Sequence, residues 1–201
     1  MSQMDLFGDE LSGPDLDVTL VRQAFGPEDS AIYFERLIQA IPWQQDEVVM
    51  FGKKTPLPRL TAWFGDRGAT YTYSGITMQP HEWSEDLLAI RAVVEQHAKV
   101  RFNSLLLNQY RDGQDGVAWH ADDEPELGVR PIIGSLSFGA VRKFQLRLKD
   151  DPSEKREIEI GSGDLVVMSG NTQASWLHQV PKTSRVIGPR INLTFRRISS
   201  V

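Results

Sequence analysis

From Val18 onward the chain carries two kinds of apolar spacing, and the switch between them divides it in two. Residues 27–41 open with Pro27-Glu28-Asp29 and then place Ile32, Tyr33, Leu37, Ile38 and Ile41 on a helical repeat. A helix gathers such positions on one face, and acids in the first turn favour its start. Residues 83–97 repeat the plan: Trp83-Ser84-Glu85-Asp86 offers Ser84 as N-cap, with Leu87, Leu88, Val93 and Val94 facing inward up to about His97. Short strands are predicted at 18–21, near 48–51 and at 70–74. The remainder of 42–68, punctuated by Pro42, Pro56, Pro58, Gly65 and Gly68, reads as loop.

After Val100 the period falls from helical to two. Strands are predicted at 104–110, 132–138, 143–148, 156–160, 164–168, 176–180 and 190–197, with Asp112-Gly113, Gly161-Ser162-Gly163 and Gly170-Asn171 among the intervening turns. Lys143-Phe144-Gln145-Leu146-Arg147-Leu148 alternates as a strand with one wet face should. Many short antiparallel strands, with helices confined to the N-terminal half, predict an α+β, mainly β fold. The expected architecture is a double-stranded β-helix, or jelly roll, with N-terminal helices buttressing one sheet.

Composition narrows the chemistry. The 201 residues include no cysteine, which excludes disulfides, zinc fingers and thiol nucleophiles. There is no apolar run long enough for a membrane-spanning helix and no signal-peptide pattern at the start, so a cytoplasmic protein without a membrane partner is expected. The net charge of −5 speaks against nucleic acid until it is located. Asp5, Asp9, Glu10, Asp15 and Asp17 account for all of it, in a 1–17 segment that reads as a flexible acidic tail ahead of a single domain at 18–201. Lys182, Arg185, Arg190, Arg196 and Arg197 make the other end basic.

Two patterns carry candidate chemistry. His120-Ala121-Asp122 can converge two ligands on one point, and His178 on a facing strand would complete a two-histidine, one-carboxylate set. Such a set leaves coordination sites open and suits non-haem Fe(II) and O2. His81 and His97 read as surface or structural residues. In 190–197, Arg190, Asn192, Thr194 and Arg196 share one parity and Ile191, Leu193 and Phe195 the other. Two arginines on one strand face are costly unless an anion meets them, and guanidinium suits carboxylate. A dicarboxylate such as 2-oxoglutarate answers that need.

These segments resemble the AlkB family of Fe(II)/2-oxoglutarate dioxygenases, which repair alkylated bases. The likeness is carried by Asn108-Gln109-Tyr110-Arg111-Asp112-Gly113, His120-Ala121-Asp122-Asp123-Glu124, Ser135-Leu136-Ser137-Phe138-Gly139, Trp176-Leu177-His178 and Pro189-Arg190-Ile191-Asn192-Leu193-Thr194-Phe195-Arg196. It extends back through Phe51-Gly52-Lys53, Pro58-Arg59 and Tyr71-Thr72-Tyr73-Ser74-Gly75, and so spans roughly residues 40–198. It looks closest to the branch acting on duplex DNA, while the missing cysteines and acidic tail point to a bacterial cytoplasm.

The resemblance implies a recognition lid over about 42–80 and a jelly-roll core over 100–198. It implies that His120, Asp122 and His178 bind Fe(II), that Arg196 pairs with the distal carboxylate of 2-oxoglutarate and that Arg190 sits near the 1-carboxylate. Asn108, Tyr110 and Asn192 would contact the same cosubstrate. The expected activity is oxidative demethylation of 1-methyladenine and 3-methylcytosine in DNA, with O2 consumed and formaldehyde, succinate and CO2 released. A base must leave the duplex to be reached. Tyr73 and the His120 ring would sandwich it, Tyr71 and Asp123 would meet its polar edge, and Met50, Phe51 and Gly52 would form the finger that fills the gap. Arg59, Lys53, Lys54, Lys182 and Arg185 are candidate phosphate contacts. RNA or another methylated substrate, and a non-catalytic reader of methylated bases, remain alternatives. In the tail, Gln3-Met4-Asp5-Leu6-Phe7 resembles the bacterial sliding-clamp-binding peptide through Gln3, Leu6 and Phe7. The protein is expected to act as a monomer.

Overall fold

A computed structural model describes residues 11–50, 52–67, 71–73, 76–78 and 80–199, with the backbone alone described at 49–50, 71–73 and 76–78. In chain order the elements are β1 (Asp17–Val21), α1 (Pro27–Ala40), β2 (Glu47–Met50), β3 (Lys53–Pro56), β4 (Leu60–Gly65), β5 (Tyr71–Tyr73), β6 (Ile76–Met78) and α2 (Glu85–Ala98). There follow β7 (Ser104–Tyr110), β8 (Val117–His120), β9 (Ile133–Gly139), β10 (Arg142–Leu148), β11 (Lys155–Ile160), β12 (Leu165–Ser169), α3 (Thr172–Ser175), β13 (Trp176–Val180) and β14 (Arg190–Arg196).

Two antiparallel sheets form the body. The larger has the order β1-β12-β9-β14-β7-β4 and the smaller β11-β10-β13-β8, while β2-β3 and β5-β6 are separate hairpins. Period-two alternation puts the apolar side chains of the large sheet to work on both faces. Leu105, Leu107, Leu136, Phe138, Ile191, Leu193 and Phe195 point outward and are covered by Leu37 of α1 and by Leu87, Ile90 and Val94 of α2. Phe144, Leu146, Ile158, Val166, Met168 and Trp176 fill part of the space between the sheets. That division leaves the inner faces of β7 and β14 for polar residues.

The helices begin where their sequences say. Pro27 occupies the first turn of α1 with Glu28 and Asp29, and the Ser84 hydroxyl accepts from the Leu87 amide at the start of α2. Two residues read as inward-facing point to solvent: Ile32 is 49% exposed and Leu88 is 41% exposed. On α2 the buried stripe is Leu87, Ile90, Val94 and Ala98, and Leu88 stands about 100° away from it on the 3.6-residue repeat. Close packing of α2 is helped by Gly134, where a Cβ would lie 2.7 Å from a Val94 methyl.

Three further readings change. Residues 60–65 are strand β4, paired with β7 along its whole length, where loop was expected. The hairpin strand β3 and the site strand β8 also lie outside the predicted strands. Of the expected acidic tail, residues 11–17 belong to the folded body. Leu11 is buried, Trp176 Nε1 donates to the Pro14 carbonyl at 2.8 Å, and Asp17 opens β1.

Candidate metal centre and cosubstrate pocket

Strand β8 ends at His120, and β13 sets His178 directly opposite it in the antiparallel register. The ring centroids are 4.2 Å apart. Beyond β8 the chain leaves the sheet, so Asp122 reaches the histidines from a loop rather than from a strand position. The loop is held by Gln173 of α3, whose Oε1 accepts from the Asp122 amide at 2.9 Å. One ligand atom each from His120, Asp122 and His178 lies within 4.8 Å of the others.

The protonation states suit a cation. Nδ1 of His120 is 2.9 Å from the Ala118 carbonyl, which makes Nδ1 the donor and leaves Nε2 as the ligand atom. Burial pushes the His178 imidazole down to about 3, so it is neutral at pH 7. Burial pushes the Asp122 carboxyl up, but the guanidinium of Arg196 and the two imidazoles outweigh it and hold the group below the usual carboxylate range. Arg196 Nη2 donates to Asp122 Oδ1 at 2.6 Å. The other carboxylate oxygen, Oδ2, is buried with no hydrogen-bond partner and stands 4.0 Å from His178 Nε2. A buried acceptor left open beside two imidazole nitrogens fits a divalent metal.

The triad lines one end of a cavity whose wall also includes Arg59, Asn108, Tyr110, Arg190 and Asn192. Its polar wall is the inner face of β14 and β7, where Asn192 faces Asn108 and Arg190 faces Tyr110 across the ladder. The Asn192 amide donates to Ser135 Oγ at 2.8 Å and to the Leu136 carbonyl at 3.1 Å, and Thr194 Oγ1 donates to Asn192 Oδ1 at 2.9 Å. Arg190 is 2% exposed. Its Nη2 donates to Ser137 Oγ at 2.8 Å, while Nε and Nη1 are buried without a partner. Burial pushes this guanidinium below its ordinary value. A buried cation with two open donors asks for an anion.

The resemblance sets Arg190 toward the 1-carboxylate and Arg196 toward the distal one, and the geometry places Arg196 beside the triad. Arg196 touches a metal ligand, whereas Arg190 lies at the other end of β14. Alternation alone gives both side chains the same face and says nothing about which end the metal occupies.

Other expected site residues fall in different places. Arg59, read as a phosphate contact, turns into the cavity wall, where its Nε donates to Asn108 Oδ1 at 2.8 Å. Asp123 is exposed and ion-paired with Lys149 at 3.2 Å. Gly52 makes the β2–β3 turn with φ of +78°, and the backbone of Met50 lies in β2. The backbones of Tyr71 and Tyr73 lie in the β5–β6 hairpin. Phe51 and the tail residues Gln3, Leu6 and Phe7 lie outside the described residues. Gln173 has no signal in the sequence, and Ser135 and Ser137 stand there only within a segment of family likeness; the roles of all three depend on pairings with no local pattern.

A jelly roll that presents two histidines and a carboxylate beside a buried arginine defines a class: metal-dependent oxygenases that use a 2-oxo acid. Residues 17–196 match the family described as the 2OG-Fe(II) oxygenase superfamily. Within it, this chain belongs to the AlkB family. It is 44% identical over 173 residues to the mouse alpha-ketoglutarate-dependent dioxygenase alkB homolog 3, covering 82% of this chain and 60% of that protein. It is 38% identical over 184 residues to the human DNA oxidative demethylase ALKBH2, covering 87% of this chain and 70% of that one. The chain thus spans about 60% of the length of the alkB homolog 3 relatives it matches. The solved structure of OsALKBH1 shares the fold, with a TM-score of 0.66 at 18% identity over 92% of this chain and 99% of that one.

Proposed function

We propose that this protein oxidatively removes methyl groups from N-methylated bases, 1-methyladenine and 3-methylcytosine, in DNA, using Fe(II), O2 and 2-oxoglutarate. The observation that carries the reading is Asp122 shared between two imidazoles and Arg196, on the same cavity as Arg190 and its two open donors. The names of the relatives, dioxygenase and DNA oxidative demethylase, support it.

His120 Nε2, His178 Nε2 and Asp122 Oδ2 would hold the iron. When bound, Fe(II) with 2-oxoglutarate and O2 supplies oxidation of the N-methyl carbon, which leaves as formaldehyde while the cosubstrate ends as succinate and CO2. The chain's own residues orient and shield. Arg196 keeps Asp122 ionised and stands at the end where a 2-oxo carboxylate chelates a metal. Arg190, stacked on Tyr110 and bonded to Ser137, takes the distal carboxylate. Asn108 and Asn192 line the path between them, and Leu106, Val117 and Met168 keep that path dry.

On the substrate side, Tyr71, Tyr73 and Asp123 remain our assignments for the flipped base. Methylation at adenine N1 or cytosine N3 makes the base cationic, so an aromatic face and a carboxylate favour damaged over normal bases. Lys149 neutralises Asp123 in the free protein, and a cationic base would take its place. Met50-Phe51-Gly52 is assigned as the duplex finger and residues 3–7 as a sliding-clamp tether. Mass spectrometry of 3-methylcytosine and 1-methyladenine oligonucleotides incubated with protein, Fe(II) and 2-oxoglutarate tests the reading, with His120→Ala as control. Loss of about 14 Da per lesion, the mass of one CH2, is expected with the parent protein. An unchanged oligonucleotide with active metal-loaded protein would sink it.

A further inference from the structure

Arg142, the first residue of β10, is an arginine that the proposed reaction leaves unused, yet it is 4% exposed. Its partners are all carbonyls: Nη1 donates to Asp112 at 3.2 Å, and Nη2 donates to Asp115 at 2.8 Å and to Pro181 at 2.7 Å. These acceptors sit on the β7–β8 turn and on the segment entering the β13–β14 connection, which meet at one end of the cavity. The Asp115 carboxylate is already taken by Nε and Nη2 of Arg111 at 2.7 and 2.9 Å. Arg142 is therefore held by carbonyl dipoles, with the charges of Asp115 and Asp112 acting on it only from a distance and no carboxylate bonded to it.

The second observation is the ring between two cations. The guanidinium carbon of Arg142 lies 5.6 Å from the Tyr110 ring centroid, and that of Arg190 lies 5.1 Å from the same ring. Each contact is a cation–π pair. Two like charges brought to one buried ring repel each other, and that arrangement is relieved when an anion arrives. Arg190 has Nε and Nη1 open to receive one.

We propose that Arg142 is a positioning residue for the distal carboxylate of the 2-oxo acid. It fixes the Tyr110 ring, through the ring it fixes the aim of Arg190, and its charge biases this end of the cavity toward a second carboxylate. By pinning both loops it also sets the length of acid that fits. The inference rests on the cosubstrate reading above and extends it to a residue that makes no contact with the ligand.

A purely structural arginine would change stability without changing selectivity, so selectivity is the readout. The full-length protein is loaded with Mn(II), and 2-oxoglutarate, 2-oxopentanoate (equal in length, without the distal carboxylate) and 2-oxoadipate (one carbon longer) are titrated by calorimetry. In Arg142→Gln we expect 2-oxoglutarate to bind about tenfold more weakly, on the order of one lost charge-assisted contact. Binding of 2-oxopentanoate should stay within about twofold, and the preference for 2-oxoglutarate over 2-oxoadipate should shrink. Should Arg142→Gln fail to fold by circular dichroism, Arg142→Lys keeps the charge and reaches fewer carbonyls, and the same split is expected at about two- to threefold. Equal weakening of the two five-carbon acids, or unchanged affinity for both in a folded variant, overturns the role of Arg142. No binding of 2-oxoglutarate by the parent protein overturns the cosubstrate reading itself.

Discussion

Arg196 closes β14 by donating to Asp122, a residue 74 positions earlier that belongs to no strand. The bond joins the carboxylate of the metal triad to the strand that carries the anion site. Its side chains are 15% and 3% exposed, so the pair is shielded from solvent. Breaking such a pair by removing one partner leaves a buried charge uncompensated and costs about 3–5 kcal/mol. Arg196→Gln should therefore lower the melting temperature of the metal-free protein by roughly 10 °C, at about 2–4 °C per kcal/mol for a chain of this size. Mn(II) should restore part of the loss, because the metal supplies the missing positive charge. Thermal melts with and without Mn(II) check both statements; an unaltered metal-free melt would contradict the account of Asp122.

Gln173 acts on the same carboxylate through the backbone. It is 1% exposed, and its Oε1 is the acceptor for the Asp122 amide. Gln173→Leu fills the space but leaves that amide unpaired, at about 1–3 kcal/mol. Since partners behind metal ligands typically contribute about 10–100-fold to affinity, Mn(II) binding measured by equilibrium dialysis should fall within that range, with His120 and His178 untouched.

The pH dependence of stability should contain a term from Asp115. Burial pushes its carboxyl up, but hydrogen bonds from Arg111 and the positive charges of Arg111 and Lys182 hold it below the usual range. A carboxyl depressed in the folded state stabilises fully above its unfolded value, about 3.9. That stabilisation is lost as pH falls through the lower folded value. Asp115→Asn should cost about 1–2 kcal/mol at pH 7, a figure kept low by the half-exposed Arg111 side chain, and the gap from the parent should narrow by pH 3. Urea unfolding at the two pH values measures it.

The N-terminal strap offers a fourth test. A Cβ on Gly13 would stand 2.8 Å from the Trp176 ring. Gly13→Ala should displace Pro14 from Trp176 Nε1, cost about 1–3 kcal/mol by overpacking and shift Trp176 fluorescence to the red. An unshifted spectrum with unchanged stability would show that the strap yields without cost.

The sequence was most legible where one strand explains itself. The parity split of β14 is observed in full: Ile191, Leu193 and Phe195 lie in the helix-side core, and Arg190, Asn192, Thr194 and Arg196 line the cavity. His120, Asp122 and His178 were legible for the same reason, as side chains whose chemistry needs company. The rest of the fold is relational. Strand β4 is hidden by the prolines and glycines around it, because its place is set by pairing with β7. The order of the two arginines depends on where the loop after β8 delivers Asp122. Arg142 alternates like any strand residue, and only the meeting of two distant loops makes its three carbonyl partners available.

The position of β14 in the large sheet has a consequence for how the protein comes into being. β14 lies between β9 and β7, and those two strands pair with it rather than with each other. Every residue needed for the metal triad precedes it in the chain, yet the two halves of the sheet join only when this last strand inserts. Non-local pairing of this kind slows folding, because the intervening chain must be ordered before the contacts form. The same strand carries Arg190 and Arg196, so the polar wall of the cavity exists only in the fully paired sheet, whereas His120, Asp122 and His178 all come from segments earlier in the chain.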